Sequence, residues 1–88
     1  MKRKLKLIND IMNNDIGEKV VYAVVFVNSN INECFELQYK LDSGDYRYIN
    51  TDTGELFTVN QIVSKIKAFD TSENGHIRTI LMQKEIIY

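Results

Sequence analysis

Apolar residues in this chain fall into blocks, and the period within each block decides the element it predicts. Near the start, Leu5, Ile8, Ile11 and Met12 recur at helical spacing and form one stripe. They predict a helix over about Lys4–Asn13. Leu7 lies off the centre of that stripe, so a short initial strand stays open as an alternative. Asn14, Asp15 and Gly17 end the element.

The next block, Glu18–Asn28, contains Val-Val-Tyr-Ala-Val-Val-Phe-Val and reads as a strand, because β-branched and aromatic residues dominate it. It does not alternate. Val20, Tyr22, Val24 and Phe26 point to one side, and Val21, Ala23, Val25 and Val27 to the other. A strand apolar on both sides must be covered on both sides. Either two helices cover one face each, or both lie on one face and a second copy of the chain covers the other. The homodimer is the preferred expectation, since so short a chain has little else with which to bury a second face.

After a turn at Ser29-Asn30, the segment Ile31–Leu41 alternates. Ile31, Phe35, Leu37, Tyr39 and Leu41 face inward, with Glu33 as the exception. Asn32, Cys34, Glu36, Gln38 and Lys40 face outward. The loop Asp42-Ser43-Gly44-Asp45 leads to a third strand, Tyr46–Asn50. The turn Thr51-Asp52-Thr53-Gly54 leads to a short fourth, Glu55–Thr58. Thr58 with Gln61 is a capping-box pattern, and the helix it starts buries Ile62, Val63, Ile66 and Phe69. Ser64, Lys65 and Lys67 face water. After the polar loop 70–75, His76–Tyr88 reads as a last strand with a bend near Gln83-Lys84-Glu85. The fold class is α+β: an antiparallel meander of four to five strands with two helices, in the order α-β-β-β-β-α-β.

Composition agrees with a single domain over residues 1–88: the chain is 44% hydrophobic and 26% charged, both ordinary for a globular protein. Its net charge of −1 hides an asymmetry. Lys2, Arg3, Lys4 and Lys6 lie in a basic N-terminal segment, 1–6, whereas the rest holds seven basic and twelve acidic residues. That body lacks the broad basic face of a general nucleic-acid binder. One cysteine, Cys34, makes no internal disulfide, and the basic start is not followed by an unbroken apolar run. The expected location is the cytoplasm, without membrane contact. In size and composition, with no proline or tryptophan and abundant Asn, Ile and Lys, the chain resembles the small phage-like accessory proteins of low-GC bacteria.

No catalytic set, cofactor fingerprint or metal site is expected. Gly17, Gly44, Gly54 and Gly75 stand too far apart for a phosphate-binding loop. One Cys and one His do not make a zinc site, and nothing brings Cys34 and His76 together as a nucleophile–base pair. The stretch Asn50–Glu55 has its glycine misplaced for a calcium loop. Asp42 with Asp45, and Asp52 with Glu55, are carboxylates where turns use them.

Tyrosines are more suggestive. Tyr39, Tyr46 and Tyr48 surround one hairpin, interleaved with Lys40 and Arg47. Tyrosine and arginine are typical anchors of protein interfaces. The expected function is therefore a non-enzymatic protein-interaction module, a small regulator or inhibitor that binds a larger protein through Tyr46, Arg47, Tyr48, Tyr39 and Lys40 or through an exposed sheet edge. The alternative is a small nucleic-acid-binding protein that uses the same hairpin and the basic segment Lys2, Arg3, Lys4 and Lys6. The order helix–three strands–helix resembles the double-stranded RNA-binding domain in topology alone. That family's lysine cluster is missing from the second helix, which begins Thr58-Val59-Asn60-Gln61, so its RNA function is not carried over.

Overall fold

A computed structural model of the chain describes residues 2–12, 21–40, 46–72, 74–81 and 84–87. Helix α1 (Lys2–Met12) precedes strands β1 (Val21–Val27), β2 (Asn32–Lys40), β3 (Tyr46–Asn50) and β4 (Leu56–Thr58). Helix α2 (Val59–Ala68) follows, then β5 (His76–Leu81) and β6 (Lys84–Ile87). The α+β order expected from the sequence is the order found. The helix stop at 14–17, the loop 42–45 and the inward Leu41 lie outside the described residues.

All six strands form one sheet, in the order β4-β3-β2-β1-β5-β6, and every neighbouring pair is antiparallel. The doubly apolar β1 lies inside the sheet, between β2 and β5, where both of its backbone edges are paired. The last predicted strand divides in two. β6 pairs back on β5, with Ile80 opposite Glu85 and Leu81 opposite Lys84, so the expected bend is a reversal of direction.

Both helices pack on the same face of the sheet. Leu7, Ile8 and Ile11 of α1 and Ile62, Val63 and Ile66 of α2 join Val24, Phe26, Phe35, Tyr48 and Ile77 in one buried cluster. Phe26 meets the edges of two rings, Phe35 at 5.7 Å and Phe69 at 5.4 Å, and Phe35 meets Phe57 at 5.0 Å. Offset and edge-on pairs of this kind add to the burial of the rings themselves. Among the described residues, no buried polar side-chain atom lacks a partner.

Four expectations about faces are corrected. On β1 the register with β5 shifts between Val21 and Ala23, so Val21 joins Val24 and Phe26 in the core while Tyr22 is exposed. Helix α1 buries Leu7, Ile8 and Ile11, while Leu5 and Met12 stay outside. The apolar arc of α1 is wide, and the sheet is met by its Leu7 edge rather than its Leu5 edge. Ile31, expected inward, is exposed, because it belongs to the turn after β1. In that turn the Asn28 carboxamide oxygen accepts from the backbone N–H groups of Asn30 and Ile31. Lys65, expected in water, is half-buried: its ammonium lies 5.3 Å from the centre of the Phe35 ring and 5.5 Å from that of Phe57.

Local chemistry explains the caps and turns. The Thr58 hydroxyl accepts from the Gln61 N–H at 3.1 Å, and the Gln61 side chain accepts from the Thr58 N–H at 2.7 Å, closing the predicted capping box. Between β3 and β4, buried Asn50 accepts from the N–H groups of Asp52 and Thr53 through its carboxamide oxygen. Gly54 closes that turn at φ +76°, a conformation costly for a residue with a Cβ.

Candidate functional site

The tyrosine hairpin does not assemble as expected. Tyr48 has no exposed surface, and its hydroxyl donates to the Val21 carbonyl at 2.8 Å. It belongs to the core and has nothing to offer a partner. Its register neighbours are Leu37 on β2 and Phe57 on β4. On β2 the register shifts between Leu37 and Tyr39, so Tyr39 pairs with Arg47 and Lys40 with Tyr46. An extra residue in one strand is invisible to a count of alternating positions. Arg47 is half-buried.

The basic segment lies on α1, which carries four basic residues and one acid. Lys4 and Lys6 have partners within the fold. Lys4 donates to the carbonyl of Phe69 at the end of α2, tying the two helices together. Lys6 pairs with Asp10, one turn on, at 3.0 Å. Lys2 and Arg3 occupy the first turn of the helix. Beside this charge lie Leu5 and Met12, 60% and 59% exposed, the most exposed large apolar side chains among the described residues. Seven residues apart, they sit about 20° from each other around the helix. Their helical spacing with Ile8 and Ile11 gives them the pattern of core residues. The signal that finds them is Leu7, which widens the apolar arc beyond what one contact can bury.

A second surface is the face of the sheet that, among the described residues, carries no helix. The register there runs Leu56–Ile49–Glu36–Ala23–Ile80 across β4, β3, β2, β1 and β5. The next row is Cys34–Val25–Arg78, and the one beyond it Asn32–Val27–His76. Ala23 and Val25 are buried among their neighbours, while Leu56 and Ile80 are exposed.

Cys34 and His76 lie on this face, on opposite sides of β1 and in different rows, so the register keeps them apart. Burial first, and the nearby charge of Glu36 next, push the Cys34 thiol above its ordinary pKa, away from the thiolate that nucleophilic work requires. Asp70 is held below the usual carboxylate range, chiefly by hydrogen bonds from the Ser72 hydroxyl and N–H. Those bonds shape the loop after α2. Asp52 and Glu55 are exposed turn residues. Asp42 and Asp45 lie outside the described residues. Among the described residues no three His, Cys, Asp or Glu side chains converge as a metal site would require, and no helix is long and apolar enough to cross a membrane.

Compared with family models, curated proteins and solved structures, the chain matches none.

Proposed function

We propose that this chain is a non-enzymatic protein-interaction module, a small regulator or inhibitor that docks α1 into an apolar groove with an acidic rim on a larger protein. The observation that supports this reading is the exposed pair Leu5 and Met12 on the most basic element of the molecule. A helix that enters a groove reads as anchors at i, i+3 or i+4, and i+7. Leu5, Ile8 and Met12 have that spacing, with Ile8 shared with the core. The basic first turn sets the sign of the partner: carboxylates on the groove rim are attracted, and a basic groove is repelled. Tyr48 plays no part on this reading, and the hairpin end of the sheet is secondary to α1.

The test is capture of the partner from the native host by the full chain carrying a C-terminal tag, with nuclease present, beside the same experiment with Leu5→Ser/Met12→Ser. Both positions are exposed, so the double variant folds. The expected result is a stoichiometric protein that survives nuclease and is lost from the variant. Equal capture by the variant removes α1 as the docking element. Recovery of nucleic acid, or of proteins that nuclease releases, overturns the reading in favour of nucleic-acid binding.

A further inference from the structure

The turn that leads into β5 sets an asparagine directly before a glycine. We propose that Asn74-Gly75 is a self-modifying site, at which the folded chain converts Asn74 to aspartate and isoaspartate in water, without an enzyme.

The step balances within the chain and its solvent. The main-chain nitrogen of Gly75 gives up its proton to a base in the solvent and attacks the Asn74 carboxamide carbon, Cγ. A new C–N bond forms, the bond from Cγ to Nδ2 breaks, and the amide nitrogen takes up a proton and leaves as ammonia. Water then opens the cyclic imide at either of its carbonyls. One opening leaves aspartate with the main chain unchanged. The other leaves isoaspartate, in which the main chain runs through Cγ. Attacker and target belong to neighbouring residues, so the reaction gains the advantage of proximity. Asparagine is for this reason one of the thermolabile residues.

Three observations carry the proposal. The first is access: Asn74 is exposed in its turn, where water and base reach it.

The second is that packing demands the glycine. A Cβ at Gly75 would stand 2.1 Å from the carbonyl oxygen of Asp70, so no residue with a side chain fits without a shift of backbone. The absent side chain leaves the Gly75 nitrogen unshielded. Its N–H donates to the Ser72 carbonyl at 3.2 Å, the long end of the hydrogen-bond range, and is easily released.

The third is contrast with other asparagines. Asn50 is buried, its carboxamide accepts from Asp52 and Thr53, and the N–H after it, that of Thr51, donates to the Cys34 carbonyl at 3.0 Å. Asn28 holds the N–H groups of Asn30 and Ile31, which also occupies the amide that follows Asn30. Asn60 lies in α2, where the next N–H donates to the Thr58 hydroxyl. In the whole sequence Asn74 alone precedes a glycine.

Each conversion adds one negative charge to a chain whose net charge is −1. The charge falls on the loop that holds Asp70 and that begins at Phe69, whose carbonyl accepts from Lys4 of α1. Isoaspartate also lengthens the main chain by one carbon where Gly75 packs against Asp70. The connection from α2 to β5 therefore ages with time, whatever partner the chain has.

The test is incubation of the full chain at neutral and mildly alkaline pH, with circular dichroism to verify the fold and a parallel sample unfolded in urea. Ion exchange separates charge variants, peptide mapping by mass spectrometry locates them, and methyl transfer by an isoaspartate methyltransferase reveals isoaspartate. The expected result from the folded chain is a species with one added negative charge, growing with time and faster at the higher pH. Its site should be Asn74, with isoaspartate among the products, and Asn74→Ser should lose it. Conversion of Asn74 in urea alone overturns the proposal, because the folded turn would then block the attack. So does an Asn74 that stays intact in both samples, or a folded chain that modifies another asparagine first.

Discussion

Replacing Tyr48 by phenylalanine separates a core tyrosine from a binding one. The substitution keeps the ring and removes one oxygen. In the fold that oxygen is fully buried and donates to the Val21 carbonyl at 2.8 Å, across 27 positions of sequence. A net hydrogen bond contributes about 0.5–1.5 kcal/mol, and more where the remaining partner is hidden from water. The expected cost is therefore about 1–2 kcal/mol. Unfolding entropy is about 2.1 cal/mol/K per residue, which gives about 185 cal/mol/K for 88 residues. Each kcal/mol then moves the melting midpoint by about 5 °C, and Tyr48→Phe should melt about 5–11 °C below the wild type. Urea unfolding should show a lower midpoint with an unchanged slope, since the surface exposed on unfolding is the same. A midpoint within about 1 °C of wild type would refute the reasoning, because a solvent-facing phenol loses nothing when its hydroxyl is removed.

Three further outcomes follow from the same structure. Thr58→Ala removes one arm of the capping box and should cost about 1 kcal/mol, read by urea unfolding, whereas Thr58→Ser should recover most of it; equal losses in the two variants would place the effect elsewhere. Lys65→Ala strips both the alkyl stem and the cation from the Phe35 and Phe57 rings and should cost about 0.5–1 kcal/mol, with Lys65→Arg close to wild type and Lys65→Met, which restores only the stem, intermediate; an alanine variant as stable as the parent would show that the ammonium does not rest there. Because the folded pKa of Cys34 is raised, its stability contribution is fully present at neutral pH and is lost as pH rises from the ordinary thiol value through the raised one; wild type minus Cys34→Ala should therefore decline across that alkaline window in paired unfolding titrations, and a flat or rising difference contradicts the burial.

Local pattern was enough for most elements. The capping box Thr58/Gln61 marked the start of α2 to the residue, because the signal is a short-range pair of side chains. Tyr46–Asn50 and the turn after it were legible for a similar reason: Asn, Asp and Gly act on their own backbone within three or four positions. The candidate site was far less legible. Leu5 and Met12 share an apolar arc with Ile8 and Ile11, and periodicity cannot say which edge of a wide arc meets the sheet. Tyr48 looked like a surface anchor because its composition and neighbours are those of an interface. Its burial depends on the strand two places away in the sheet, where the Val21 carbonyl waits for a donor.

The sequence by itself determined the class and the order of the elements, since both are written in hydrophobic period and local hydrogen bonding. Only the tertiary structure decided that both helices take the same face and that a register shift between Leu37 and Tyr39 sets Tyr39 opposite Arg47. It alone showed that the last strand folds back on itself. Those outcomes turn on contacts between residues far apart in the chain, where the packing of whole surfaces, rather than the preference of any single segment, sets the lowest free energy.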